Sequence, residues 1–259
     1  MKKLVVLCAI IALVLAGCGS PAPEAAPTAQ PSAVPPTAVP PTEVPPTEVP
    51  PTAVPPTDIP APTESPAMTQ MMTVLETLAE DGRLSSTDGE LIEFNDYSAD
   101  NNQLVYFNDA VTSGVDLPAN FVYSGHFSWS SAAASDDPSG CGLIFAGQEN
   151  GSHYALFLDQ DQIFFLRSDA SSGNSKAWIL GKAAGSGRVS FGNPAEADFV
   201  LLVNGNHSYV YVDGNFIGQY DLVKDSPTAG TFGFSVISGT AKDYGVHCEI
   251  TNSAVWTLK

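Results

Sequence analysis

The chain has 259 residues and a formal net charge of −18, from 28 Asp plus Glu against 10 Lys plus Arg. So acidic a chain excludes a nucleic-acid-binding surface, because phosphates are held by clustered Lys and Arg. Of its 21 prolines, 17 lie between Pro21 and Pro66, which excludes one continuous globular fold and separates a Pro-rich stretch from a domain of ordinary composition.

Residues 1–17 read as an export signal. Met1-Lys2-Lys3 is a basic start, and Leu4 to Leu15 is an unbroken apolar run, shorter than the roughly 20 residues of a spanning helix. Leu15-Ala16-Gly17-Cys18 then resembles a bacterial lipobox, in which the peptide is cut before the cysteine and lipids are attached to its thiol and new amino group. The resemblance implies a lipoprotein of the cell envelope, anchored to a bacterial membrane through Cys18, with its domain facing outside the cytoplasm. The alternatives are an ordinary secretory peptide cut nearby, or an uncleaved anchor. Cutting before Cys18 removes Lys2 and Lys3 and no acid, so acyl chains rather than basic residues would hold the protein to the membrane.

Residues 18–67 read as a disordered Pro/Thr-rich linker. From Thr37 a five-residue unit recurs, Thr-Ala-Val-Pro-Pro or Thr-Glu-Val-Pro-Pro, ending at Thr57-Asp58-Ile59-Pro60. Paired prolines lack amide donors and fix φ, which opposes helix and sheet and favours polyproline II. The 49 residues from Cys18 to Pro66 reach at most roughly 150 Å, at about 3.1 Å each. Proline-motif recognition by a partner is the alternative to a passive tether.

Residues 68–83 read as a short helix, Met68 to Asp81, ended by Gly82. Met71, Leu75 and Leu78 fall at i, i+4 and i+7, one face that packs on the following domain.

Residues 84–259 read as strands, short aromatic and β-branched runs separated by Gly, Asn, Asp and Ser. The runs are Leu91–Phe94, Leu104–Phe107, Asn120–Trp129, Leu143–Phe145, Tyr154–Leu158 and Ile163–Leu166. They continue with Trp178–Leu180, Phe199–Val203, Tyr209–Val212, Phe216–Tyr220, Phe232–Ile237 and Cys248–Leu258. Strands this dense with short turns predict an all-β, antiparallel sandwich or barrel. Phe199–Val203 is apolar on both faces, as a central strand is. Tyr209-Val210-Tyr211-Val212-Asp213-Gly214-Asn215-Phe216-Ile217-Gly218 is a hairpin whose Asp-Gly supplies positive φ.

That hairpin resembles the core of laminin-G-like, concanavalin A-like jelly rolls. Gly140-Cys141-Gly142-Leu143-Ile144-Phe145 with Tyr154-Ala155-Leu156-Phe157-Leu158 is similar to that family's paired strands, and Val255-Trp256-Thr257-Leu258 to its closing strand. The resemblance covers roughly residues 85–259 and implies a two-sheet jelly-roll sandwich. This fold hosts lectins, adhesion modules and glycosidases alike.

Cys8 leaves with the signal peptide and Cys18 goes to lipid, so Cys141 and Cys248 remain, a natural disulfide in an exported domain. Parity places Cys248 with Ile250, Trp256 and Leu258, and Cys141 with Leu143 and Phe145, all inward if the strands are regular. Two free buried thiols are the alternative.

No catalytic set emerges. His126, His153, His207 and His247 lack metal-ligand spacing, and there is no nucleophile elbow, phosphate-cradling loop or Cys-x-x-Cys. Jelly-roll glucanases carry Glu-x-Asp-x-x-Glu on one strand, whereas Glu196-Ala197-Asp198 lacks the last carboxylate, so a retaining pair has no visible source. No cofactor is expected apart from calcium, which laminin-G-like domains often bind at the sheet rim. Asp136 with Asp137, Asp159 with Asp161, and Asp213 are the candidates, each equally suited to shaping a turn.

Aromatic side chains are the remaining clue, because sugar rings stack on flat faces. Trp129, Tyr154, Trp178, Tyr209 and Tyr211 are the candidate platforms, and Trp256 is assigned to the core. The resulting expectation is a non-catalytic lectin-like module that recognises an extracellular ligand, a glycan above all. A glycoside hydrolase and a structural or adhesive module that binds a surface protein are the alternatives.

Overall fold

The computed structural model describes residues 65–104, 106–108 (backbone only), 115–134, 137–170, 176–185 and 187–259. The signal segment, Cys18 and the repeats lie outside the described residues.

Helix α1 spans Pro66–Glu80, two residues earlier than expected. The hydroxyl oxygen of Ser65 accepts from the Met68 N–H at 3.1 Å, and Pro66 occupies the first turn, where its missing N–H is not needed. Beyond Asp81, Gly82 ends the helix at φ 66°. The helix buries Ala67, Met71, Leu75 and Leu78.

Fifteen strands are seen among the described residues: β1 (Gly89–Glu93), β2 (Tyr97–Asn101), β3 (Tyr106–Asn108), β4 (Val115–Leu117), β5 (Phe121–Ser131), β6 (Gly140–Gly147), β7 (His153–Leu158), β8 (Ile163–Asp169), β9 (Lys176–Ile179), β10 (Lys182–Ala184), β11 (Ala195–Asn204), β12 (His207–Val212), β13 (Asn215–Asp221), β14 (Gly230–Ile237) and β15 (Val246–Leu258). They form two antiparallel sheets. The eight-stranded sheet runs β1-β15-β5-β11-β12-β13-β10, with β2 also on β15. The seven-stranded sheet runs β3-β14-β6-β7-β8-β9, with β4 on β14. The domain is therefore the expected all-β jelly-roll sandwich.

The period of two selects the core. Phe121, Tyr123, Phe127 and Trp129 point inward from β5 and meet Leu143, Phe145, Leu156, Phe165, Phe232 and Phe234 of the other sheet. Phe199–Val203 is central in β11 and apolar on both faces for a definite reason. Phe199, Leu201 and Val203 enter the sandwich, while Val200 and Leu202 pack beneath α1 with Val122, Tyr211 and Ala254. Asp213 and Gly214 turn β12 into β13 at φ 49° and 72°, as the hairpin requires. Cys141 of β6 and Cys248 of β15 form a disulfide between the two sheets, with Cα atoms 5.3 Å apart.

The parity assigned to Trp256 is corrected. Strand β15 carries a bulge between Thr251 and Ala254, with Asn252 at φ 50°. The extra residue reverses the alternation beyond it, so Trp256 and Leu258 leave the sandwich core for the helix-covered face. The Trp256 indole donates to the Thr87 carbonyl at 3.1 Å and lies over Gly89, where a Cβ would stand 2.1 Å from its nitrogen. Strands β2, β4 and β10 escaped the sequence reading because they are short and lack apolar runs.

Candidate functional site

The outer face of the eight-stranded sheet is apolar only where α1 covers it. Elsewhere strand register builds three outward-facing polar rows across β2, β15, β5 and β11. The first row is Asp100, His247 and Ser130. The second is Ser98, Glu249, Ser128 and Glu196. The third is Thr251, His126 and Asp198. Rows lie two residues apart along each strand, about 7 Å, and neighbours within a row about 5 Å apart.

Several of these groups fix one another. His247 Nδ1 lies 2.7 Å from Asp100 Oδ1, and its Nε2 lies 3.2 Å from Glu249 Oε1. These carboxylates, Asp100 foremost, raise the His247 pKa against the opposing effect of partial burial. His126 Nδ1 and Asp198 Oδ1 are 2.8 Å apart. Ser128, Ser130, Glu196 and His247, with Trp129, Pro194 and Ala195, border a groove of about 420 Å³. At its edge stands Tyr244, 41% exposed, with its hydroxyl 3.3 Å from Ser130 Oγ. The groove thus combines hydroxyls that donate and accept, the Glu196 carboxylate and an imidazole, with an accessible aromatic residue at its edge.

Glu196 and Glu249 flank Ser128 as its direct partners, about 10 Å apart across two strand spacings. Both are exposed.

The structure separates the sequence-chosen aromatics. Trp129, Tyr154 and Tyr211 are buried, at 3%, 0% and 3% exposure, so none offers a ring face to a sugar. Tyr211 lies beneath α1 and donates its hydroxyl to Asp81 Oδ2 at 2.8 Å; burial, then Asp81, pushes its pKa up to about 12. Tyr209 is half-buried, with the Arg83 guanidinium 4.7 Å from its ring centroid. Trp178 alone of the five is exposed, at 45%, on the far edge strand β9. Tyr244, Ser128 and Ser130 were missed. Tyr244 sits in a turn without periodicity, and the serines are the polar half of an alternation read for its apolar half.

The candidate calcium ligands are not brought together. Asp136 lies outside the described residues, and Asp137 and Asp161 are exposed. Asp159 is spent on its own turn: Oδ1 accepts from the Ser139 and Gln160 N–H groups at 3.0 and 2.7 Å, and Oδ2 from Gln162 Nε2 at 3.2 Å. Asp213 Oδ1 accepts from the Asp198 N–H at 2.9 Å. Among the described residues no group of three His, Cys, Asp or Glu side chains is placed to hold a metal ion.

No family model and no curated protein sequence matches the chain. Among solved structures it is similar to the carbohydrate-binding module CBM66 from Bacillus subtilis, at 11% identity and TM-score 0.38, over 67% of this chain and 94% of that one. It is also similar to the beta-porphyranase BpGH16B from the human gut bacterium Bacteroides plebeius, at 10% identity and TM-score 0.40, over 56% of this chain and 65% of that one. A third is the fructosyltransferase from A. japonicus, at 14% identity and TM-score 0.39, where the match takes in 66% of this chain and only 26% of that one.

Proposed function

We propose that this chain is an envelope lipoprotein, anchored through Cys18, whose sandwich binds a neutral glycan without cleaving it. The observation that carries the reading is the groove on the eight-stranded sheet, lined by Ser128, Ser130, Glu196 and His247, with the exposed Tyr244 reaching Ser130 through its hydroxyl. A sugar offers apolar C–H faces to the ring and hydroxyls to groups that can both donate and accept. The groove is open to solvent and presents little apolar surface, which implies modest affinity.

The test is titration of the full chain with neutral oligosaccharides chosen from a glycan array. Tyr244→Ala should weaken binding about tenfold, equivalent to about 1.4 kcal/mol, with little change in Tm because the ring is exposed. Unchanged affinity in that variant would remove the groove from the reading. The hydrolase alternative would draw on the Glu196–Glu249 pair. Release of reducing ends from a bound glycan, lost in Glu196→Gln, would replace binding by catalysis.

A further inference from the structure

The far edge of the sandwich carries a second, chemically different arrangement. Register sets Tyr154, Arg167 and Trp178 side by side on β7, β8 and β9, with their side chains on one face. Tyr154 is fully buried, Arg167 is 5% exposed and Trp178 is 45% exposed, so the row runs from core to rim.

Arg167 is the unusual member. Its guanidinium carbon lies 4.9 Å from the Tyr154 ring centroid; Nε donates to Ser226 Oγ at 3.0 Å and Nη1 to the Ser168 carbonyl at 2.8 Å. None of the ion pairs among the described residues involves it. Nη2 has no protein acceptor there, yet it is not among the polar atoms sealed from solvent. A buried cation is costly without a counter-charge, and a chain with 28 acids had ample means to supply one. The acids close in register or sequence are Asp169, which faces Lys176 across β8 and β9, and Asp225, which adjoins Ser226.

Basic residues are frequent on the neighbouring segments: Arg167, Lys176, Lys182, Arg188 and Lys224 are five of the 10 Lys and Arg residues of the chain. Leu180, two residues beyond Trp178, borders a groove between the sheets together with Lys182, Arg188 and one acid, Asp161. Beside Arg167, Ser226 uses an oxygen lone pair to accept from Nε, which leaves its hydroxyl proton for a ligand.

We infer that this edge binds an acidic saccharide, with a carboxylate or sulfate on Arg167 Nη2 and the Ser226 hydroxyl and the sugar ring against Trp178. The acid group supplies the missing counter-charge, and a charge-assisted bond to a guanidinium is among the stronger polar contacts. The site is separate from the groove beside Tyr244 and takes an anionic rather than a neutral saccharide.

The test uses the full chain at about 0.15 M salt, where distant acids are screened beyond roughly 8 Å and direct contacts persist. Affinities are measured for dextran sulfate, polygalacturonate and neutral dextran. Preference for either polyanion over dextran by tenfold or more is expected, and the polyanion preferred identifies sulfate or carboxylate as the anion. Trp178→Ala should weaken polyanion binding at least fivefold at unchanged Tm, and Tyr244→Ala should leave it unaltered. Arg167→Gln should abolish the preference. If that variant unfolds, Trp178→Ala together with Lys182→Gln decides alone. Equal affinity for dextran and both polyanions, or polyanion binding indifferent to Trp178→Ala and Lys182→Gln, overturns the inference. Loss of neutral-glycan binding in Tyr244→Ala bears only on the other groove, so the two readings fail separately.

Discussion

His247 is held between two carboxylates, Asp100 at 2.7 Å and Glu249 at 3.2 Å, and its pKa is raised above 6.5, chiefly by Asp100. Because the folded value exceeds the unfolded one, this stabilisation is fully present below about pH 6.5 and disappears as pH rises through the folded pKa. The side chains are 36% and 59% exposed, so solvent screening limits the contribution to about 1 kcal/mol or less. His153 works in the opposite direction: burial lowers its pKa, so its contribution falls as pH drops below about 6.5. The two slopes overlap in the wild type, and a difference measurement separates them. The Tm advantage of wild type over His247→Gln should be largest near pH 6 and shrink as pH rises above 7. An advantage that is flat or grows with pH would contradict the assignment. The same residue shows the limits of reading by sequence: its partner Asp100 lies on β2, and nothing in a single histidine announces a carboxylate so far away in the chain.

Elements were legible where apolar residues are grouped or regularly spaced. The i, i+4, i+7 spacing of Met71, Leu75 and Leu78 located α1, and aromatic and β-branched runs located β5, β11 and β14. Alternation does not reveal which face an added element covers. Tyr211 lies outward on β12, like a ligand platform, and is buried only because α1 crosses it. Nor does it register a bulge, which is why the parity of Trp256 reversed at Asn252. The helix is therefore part of the domain's core rather than an appendage, and its contribution is measurable. Met71 is 0% exposed between helix and sheet, whereas its neighbour Met72 is 38% exposed. Met71→Ala should cost about 2–4 kcal/mol, and Met72→Ala less than about 0.5 kcal/mol, read from urea midpoints with an unchanged m-value. Equal small effects would mean that the helix is dispensable. The Cys141–Cys248 bridge adds a constraint between the sheets over a separation of 107 residues, for which the chain-entropy model gives about 4–5 kcal/mol as an upper figure.

At the scale of the whole molecule, address and ligand differ in how they are written. The proposed export signal is contiguous: the apolar run and Leu15-Ala16-Gly17-Cys18 stand in one stretch, so that proposal does not depend on the fold. The groove draws on positions 128, 130, 196, 244 and 247, which only strand register assembles, and no sequence window contains it. The anchor is accordingly a proposal from residues outside those the structure describes, and it has its own test. In a bacterial host fed labelled palmitate, the wild type should take up label and partition with membranes, while Cys18→Ala should take up none and be released or remain unprocessed. Persistent labelling of the variant would end the lipoprotein reading. With a formal charge of −18 the chain has little attraction to an anionic membrane of its own, so loss of the acyl chains should shift its partition almost completely. Glycan binding should be unchanged in Cys18→Ala, because every group that lines the groove belongs to the sandwich and the lipid contributes location alone.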